Sequence, residues 1–97
     1  MRYEILLAPE AVQDLQSLKA NVRTAVRAAM EAHLRHQPER VSKSRIKRLR
    51  GLSKPQYRLR VDDVRIFFDV VPGTVEVLAI VSKSEVDAWL VQFGRPG

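Results

Sequence analysis

The 97 residues are enough for one folded domain, and a 45% hydrophobic fraction is typical of a chain with a packed core. The absence of cysteine excludes disulfides, a thiolate nucleophile and cysteine-ligated metal sites, and it favours a reducing, cytoplasmic location. Seventeen lysines and arginines against eleven acidic residues give a formal charge of +6. This excess predicts a polyanion or an acidic protein as the partner.

The first half of the chain predicts a strand followed by two helices. Residues 2–8 read as a short strand, whose apolar run is too short for a signal peptide or a membrane span. Pro9 suits the first turn of a helix, and apolar residues recur at helical spacing over residues 9–19. Asn21 is a good N-cap for a second helix, whose apolar stripe ends before Pro38.

The middle of the chain predicts a loop and then a β-hairpin. Residues 38–55 have no clean period, which indicates a loop with a short ordered piece at residues 46–49. Apolar residues then alternate with other residues in 57–61 and again in 64–70. The two runs predict antiparallel strands joined by a two-residue turn at Asp62-Asp63.

The hairpin register would place cations side by side. Arg60 lies opposite Arg65, and Arg58 lies opposite Phe67. Like charges in opposite positions cost up to about 1 kcal/mol, so this pairing suggests that an anion is expected. Guanidinium groups can hold phosphate oxygens in pairs, and Phe67 on the same face could stack a nucleobase. The alternative is that these arginines are solvated, contact nearby aspartates and only keep the face soluble.

The remaining elements complete an α+β domain over residues 1–97. Residues 74–81 are apolar on both faces and predict a central strand. Ser84 can cap a last helix over residues 84–93. The order is β-α-α-β-β-β-α, with a small, mostly antiparallel sheet and two N-terminal helices on one face.

Four consecutive strings in the second half resemble a known family. They are IKRLRGL at 46–52, QYRLRV at 56–61, VRIFFDVV at 64–71 and VEVLAIVSK at 75–83. Their order and spacing resemble the RelE/ParE superfamily of toxins from bacterial type II toxin–antitoxin systems. Its RelE branch implies a ribosome-dependent endoribonuclease that cleaves messenger RNA in the ribosomal A site by attack of a ribose 2′-OH. The resemblance also implies a cognate acidic antitoxin that covers the basic site.

The resemblance implies a catalytic set as well. Arg58, Arg60 and Arg65 would hold the scissile phosphate, with Lys83 as a fourth member. Many RelE toxins have an arginine after the last strand and a tyrosine or histidine further on, whereas this chain has Lys83-Ser84 and Trp89-Leu90 there. Arginine cannot serve as the base, so the groups that transfer protons stay unassigned.

Nine of the seventeen cations lie between residues 43 and 65. Besides the hairpin arginines, these are Lys43, Arg45, Lys47, Arg48, Arg50 and Lys54. We expect these six residues, together with Phe67, to bind RNA or the ribosome. The alternative is a mobile basic loop that binds acidic residues of the antitoxin. His33 and His36 have no carboxylate or cysteine companions, so neither a metal nor another cofactor is expected.

Two alternative functions remain open. A ParE-like toxin would share the fold, lack the nuclease residues and poison DNA gyrase by protein contact. A non-enzymatic module would use the same basic face to bind RNA without cleaving it.

Overall fold

The computed structural model describes residues 1–97 and has a five-stranded mixed sheet at its centre. The elements are β1 (Glu4–Leu7), α1 (Pro9–Ser17), α2 (Ala20–Leu34), β2 (Ile46–Arg48), β3 (Leu52–Lys54), β4 (Tyr57–Val61), β5 (Val64–Val71), β6 (Thr74–Ser82), a 3₁₀ turn (Lys83–Glu85), α3 (Val86–Phe93) and β7 (Arg95–Pro96). The strand order is β1-β6-β5-β4-β2, and only the β1–β6 pair is parallel. The predicted α+β class is confirmed.

Three short strands were not predicted. β2 falls on the short ordered piece expected at residues 46–49, but its pairing with β4, which makes it one edge of the large sheet, was not foreseen. β3 pairs with β7, and the Gly97 N–H donates to the Gly51 carbonyl beside them. Segments of two or three residues are too short to show a period, so only long-range pairing defines them.

Both predicted helix caps are wrong. The second helix begins at Ala20, one residue before Asn21, and the residue at its N-cap position, Lys19, makes no capping bond through its side chain. Ser84 lies inside the 3₁₀ turn, and Glu85 precedes α3. Neither the Asn21 nor the Ser84 side chain makes a capping hydrogen bond to a helix N–H.

An arginine instead terminates α1. Arg23 Nε donates to the Leu15 carbonyl at 3.2 Å, and its Nη2 donates to the Gln16 and Leu18 carbonyls at 3.2 and 2.9 Å. These carbonyls lie at the C-terminal end of α1, where the only backbone donor that reaches them is the Leu18 N–H, which donates to the Leu15 carbonyl at 3.2 Å. A cation also interacts favourably with this end of the helix dipole.

We therefore expect Arg23→Ala to lower the free energy of unfolding by about 1–2 kcal/mol, because several carbonyls lose a charged donor. Arg27→Ala removes an exposed cation from the same helix and is the control, with a change of less than about 0.5 kcal/mol. Urea denaturation measures both. Equal effects of the two substitutions would contradict the capping role of Arg23.

The sheet is covered on both faces, to different extents. We call the face under α1 and α2 the inner face; it holds the main core, including Val26, Leu34, Leu59, Ile66 and Phe68. On the opposite face, the outer face, α3 covers a smaller cluster of buried residues. That cluster is Phe67, Ala79 and Val81, with Leu49, Val86, Trp89 and Leu90 packed against it. Strand β5 is therefore buried on both faces, and cations can reach solvent only where α3 does not extend.

Candidate functional site

The hairpin has the predicted register. Arg60 pairs with Arg65 and Arg58 pairs with Phe67, with Asp62 and Asp63 as the turn. Asp62 adopts a positive φ of 50°, which aspartate tolerates better than most side chains do. The three arginines therefore belong to the outer face, opposite Tyr57 and Leu59, which pack in the main core.

Two more cations, one in β2 and one just before it, lie on the same face. Lys47 is the register partner of Arg58, and the Arg60 N–H donates to the Arg45 carbonyl at 2.9 Å, which places Arg45 beside Arg60. Ile46 between them is buried in the inner core, so its two neighbours point outward. We call Arg45, Lys47, Arg58 and Arg60 the cation array.

The cation array lacks counter-ions. The two salt bridges of the chain join Arg35 to Glu31 and Lys54 to Asp69, so they leave all four members of the array unpaired. Arg45, Lys47 and Arg60 are exposed, and a small polar depression beside them is lined by Ser44, Arg45, Arg60 and Asp62. The array can therefore accept an anion from solvent.

Arg58 is the least satisfied member of the array. Its side chain is partly buried, and its Nη1 is shielded from solvent without a hydrogen-bond partner. Burial, and then the positive charges of Arg65 and Arg60, lower the pKa of the Arg58 guanidinium. An unpartnered buried donor costs free energy, so a ligand oxygen that reached Nη1 would gain more than an ordinary surface contact.

Arg65 does not have the exposure that was expected. Only 8% of it is accessible, and its Nη1 donates to the carbonyls of Asp62 and Val64 at 2.7 and 3.1 Å. The expectation of a freely exposed arginine is wrong because β6 and the 3₁₀ turn enclose this end of β5. Arg65 thus stabilises the hairpin turn through these hydrogen bonds, and it places a positive charge next to Arg60, its partner in the register.

Phe67 is not available as a stacking platform for a base. It is fully buried, and its ring stacks on Trp89 with centroids 4.8 Å apart and planes at 7°. The expected exposure of Phe67 is therefore wrong, since α3 already supplies the aromatic partner. The alternating pattern gave the correct face but did not show that a helix covers it.

The other predicted cations are dispersed. Lys43 and Arg50 are exposed in loops, while Arg48 lies at the inner-face edge with its guanidinium 5.2 Å from the Tyr57 ring centre. Arg48 Nη1 also donates to the Gln56 carbonyl at 2.7 Å. Lys54 is bound to Asp69 at 3.5 Å. The structure therefore separates these four cations from the array.

A buried carboxylate anchors the start of β4. Asp69, 5% exposed, accepts a hydrogen bond from the Gln56 N–H at 2.7 Å and also binds Lys54. The Gln56 side-chain carbonyl accepts in turn from the Val70 N–H at 2.9 Å. These bonds fix β4 against β5 just before Arg58, and so set the position of the array.

Lys83 lies near the array but in different surroundings. Its backbone N–H donates to the Asp63 carbonyl at 2.7 Å, which fixes it beside the hairpin turn. Its exposed side chain borders a depression shared with Asp63, Ser82, Ser84 and Asp87. Lys83 therefore faces carboxylates on the far side of the turn rather than joining Arg60.

The array contains no tyrosine, histidine or carboxylate side chain, and Lys47 is its one member other than arginine. Tyr57 is on the inner face, and its hydroxyl donates to Glu39 at 3.4 Å. Burial, followed by the Glu39 carboxylate, raises the pKa of the Tyr57 phenol. His33 and His36 lie at the end of α2, on the other side of the sheet, and His36 Nδ1 is 3.4 Å from the Met1 carbonyl oxygen. The structure has no group of three His, Cys, Asp or Glu side chains that could hold a metal ion.

None of the three helices combines the length and the apolar composition needed to cross a membrane.

Solved structures of bacterial and archaeal toxins share this fold. The RelE–RelB complex of Pyrococcus horikoshii matches with a TM-score of 0.70 and 22% identity, covering 86% of this chain and 97% of that chain. The toxin–antitoxin complex RelBE2 of Mycobacterium tuberculosis gives 0.69 and 23%, covering 84% and 92%. A free mutant of Escherichia coli RelE gives 0.68 and 22%, covering 95% and 97%. Comparison with curated proteins gave no match.

A family model supplies the assignment that these low identities cannot. The model of the ParE toxin of the type II toxin–antitoxin system parDE matches residues 5–87, a span that includes all but the first residue of β1, the elements from α1 to β6 and the whole cation array. The chain therefore belongs to the ParE toxin family, within the RelE/ParE superfamily of toxins from type II toxin–antitoxin systems.

Proposed function

We propose that this toxin stops translation by cleaving messenger RNA in the ribosomal A site. The observation that carries the proposal is the cation array, whose four members lack counter-ions and one of which has a buried and unpartnered guanidinium nitrogen. Phosphate is the anion that suits paired guanidinium donors best. Arg58 and Arg60 would hold the RNA backbone at the cleaved bond, and Arg65, the register partner of Arg60, would add positive charge beside them.

The chemistry assigned to these residues is stabilisation of charge. Attack of a ribose 2′-OH on the adjacent phosphate builds negative charge on the phosphoryl oxygens, which fixed arginines can stabilise. The same reaction needs a proton acceptor and a donor for the 5′-oxygen, and arginine supplies neither readily. In this proposal the ribosome holds the 2′-OH in line with the phosphate, because positioning alone can supply much of a rate enhancement. Lys47, beside Arg58 in the array, is a side chain of another type that could approach the leaving oxygen, whereas Lys83 borders a separate depression next to the hairpin turn.

An antitoxin would act on the same surface. As a toxin of a type II system, the chain has an antitoxin as its partner. An acidic antitoxin segment over the cation array would satisfy the unpaired cations and exclude RNA from them. Inhibition and binding of substrate would then compete for the same charges.

Programmed ribosomes provide the test of the proposed function. We expect the purified protein to cut messenger RNA at the codon in the A site, with primer extension mapping the cuts. Arg60→Ala should slow cleavage about 100-fold, since it removes a donor to the developing charge. Arg27→Ala, which removes a cation from α2 on the inner side, should cleave like the wild type.

Inhibition of DNA gyrase is the second candidate, and the match to the ParE toxin model favours it specifically. In this case the protein would leave messenger RNA intact and produce gyrase-dependent DNA breaks. Such breaks without RNA cuts would overturn the nuclease proposal. Intact RNA and DNA, together with salt-dependent RNA binding, would instead identify a passive RNA-binding protein.

A further inference from the structure

The cation array has a regular two-by-two geometry. Lys47 and Arg58 form one row across β2 and β4, and Arg45 and Arg60 form the next. Side chains on one face of a strand recur every second residue, so the rows are about 6.8 Å apart along the strands. Directly opposite residues within a row have Cβ atoms about 4.5–5.5 Å apart. Each row can therefore direct two cations at one phosphate group.

We propose that the array binds two consecutive phosphates of single-stranded RNA, one in each row, with the RNA backbone running along β4. The inference rests on the proposed nuclease function and adds the path of its substrate. The spacing of the rows is comparable to that of successive phosphates along an extended ribose–phosphate chain. The first row offers an ammonium and a guanidinium group, and the second row offers two guanidinium groups.

The boundaries of the array favour a single strand. β2 is an edge strand, so the side of Lys47 and Arg45 is open to solvent. On the other side, the first row ends at buried Phe67 and the second row ends at buried Arg65. The accessible strip is thus two strands wide, about 5 Å between strand axes. One nucleic-acid backbone can follow so narrow a strip.

The two rows differ in their surroundings. Asp62 and Ser44 line the depression that contains Arg45 and Arg60, so a carboxylate borders the second row. The first row has the partly buried Arg58, whose Nη1 has no partner. Arg48 follows Lys47 in the chain but lies at the inner-face edge and binds the Gln56 carbonyl, so it belongs to neither row.

The test measures binding of a fluorescein-labelled 2′-O-methyl hexauridylate, which cannot be cleaved, by fluorescence anisotropy at several salt concentrations. For single strands, the logarithm of the association constant falls with the logarithm of salt concentration by about 0.7 per neutralised phosphate. We expect each row deletion, K47A with R58A or R45A with R60A, to reduce this slope by about 0.7. The control, R2A with R27A, removes two exposed cations elsewhere and should retain the slope.

A second set of oligonucleotides tests the pairing of rows with phosphates. Two adjacent uncharged methylphosphonate linkages should remove the difference between each row deletion and the wild type. Lys47→Ala should weaken binding several-fold more than Arg48→Ala, although these residues are neighbours in the chain. Thermal unfolding checks that every variant is folded.

Row deletions that keep the wild-type slope, or that change it no more than the control does, would overturn the proposal that each row binds one phosphate. If the slope were unchanged while codon-positioned cleavage occurred, the two-phosphate path would be wrong and the nuclease function would stand. If the slopes changed as expected without any cleavage on ribosomes, the path would stand and the nuclease function would fail.

Discussion

Phe67→Ala is expected to lower the free energy of unfolding by about 3–5 kcal/mol, because it leaves a cavity at a fully buried site between β5 and α3. The loss includes the stacking contact with Trp89. For a domain of this size such a loss is a large part of the total stability. Denaturation in urea, followed by tryptophan fluorescence, measures it directly at the affected contact.

Phe93→Ala is the matched control for this prediction. Phe93 is 53% exposed and also contacts Trp89, with ring centres 5.2 Å apart. Its truncation should cost less than about 1 kcal/mol, since little buried area is lost. A stable Phe67→Ala variant with weaker RNA binding would contradict the buried role of Phe67 and restore the platform for a nucleobase.

Arg58→Met is expected to raise the free energy of unfolding by about 1 kcal/mol, because an unpartnered buried donor is replaced by an apolar chain of similar length. Removal of the repulsion from Arg60 and Arg65 acts in the same direction. The gain is small because the Arg58 side chain is only partly buried. Chemical denaturation of both proteins at low ionic strength measures the difference.

Arg27→Met controls for the general effect of lowering the net charge. This exposed residue on α2 has no comparable desolvation, so its replacement should change stability by less than about 0.5 kcal/mol. If Arg58→Met destabilised the protein while Arg27→Met did not, the Arg58 guanidinium would have to make stabilising hydrogen bonds in the folded state. The presence of Arg58 in the array would then not lower the free energy of unfolding.

The hairpin could be predicted from sequence because two local signals agree. Alternation over residues 57–61 and 64–70 defines the faces, and a two-residue turn leaves one register that keeps Leu59 and Ile66 in the core. The faces and the pairing of Arg60 with Arg65 follow from that register, whereas the fold class follows from the order of helices and strands along the chain.

What covers the outer face could not be predicted in the same way. Alternation assigns Phe67 to a face, but the packing of Trp89 on it depends on where a helix twenty residues later returns. The burial of Arg65 likewise depends on its carbonyl partners in the turn. Both features are long-range or involve the backbone, and neither leaves a periodic signal.

The pairing of β2 with β4 was missed for a different reason. β2 has three residues, and Ile46 is its only buried one. Extending the hairpin register from Leu59 to Ile46 would have placed Lys47 beside Arg58. That signal was present in the sequence but was too short to distinguish from a loop.

Cleavage of messenger RNA by the Arg58→Met protein on programmed ribosomes tests most directly the claim that the unpaired cations are retained for function. If the cations are retained for function, this variant, although at least as stable as the wild type, should lose codon-positioned cleavage by about 100-fold or more. Cleavage at the wild-type rate by a folded Arg58→Met protein would contradict it.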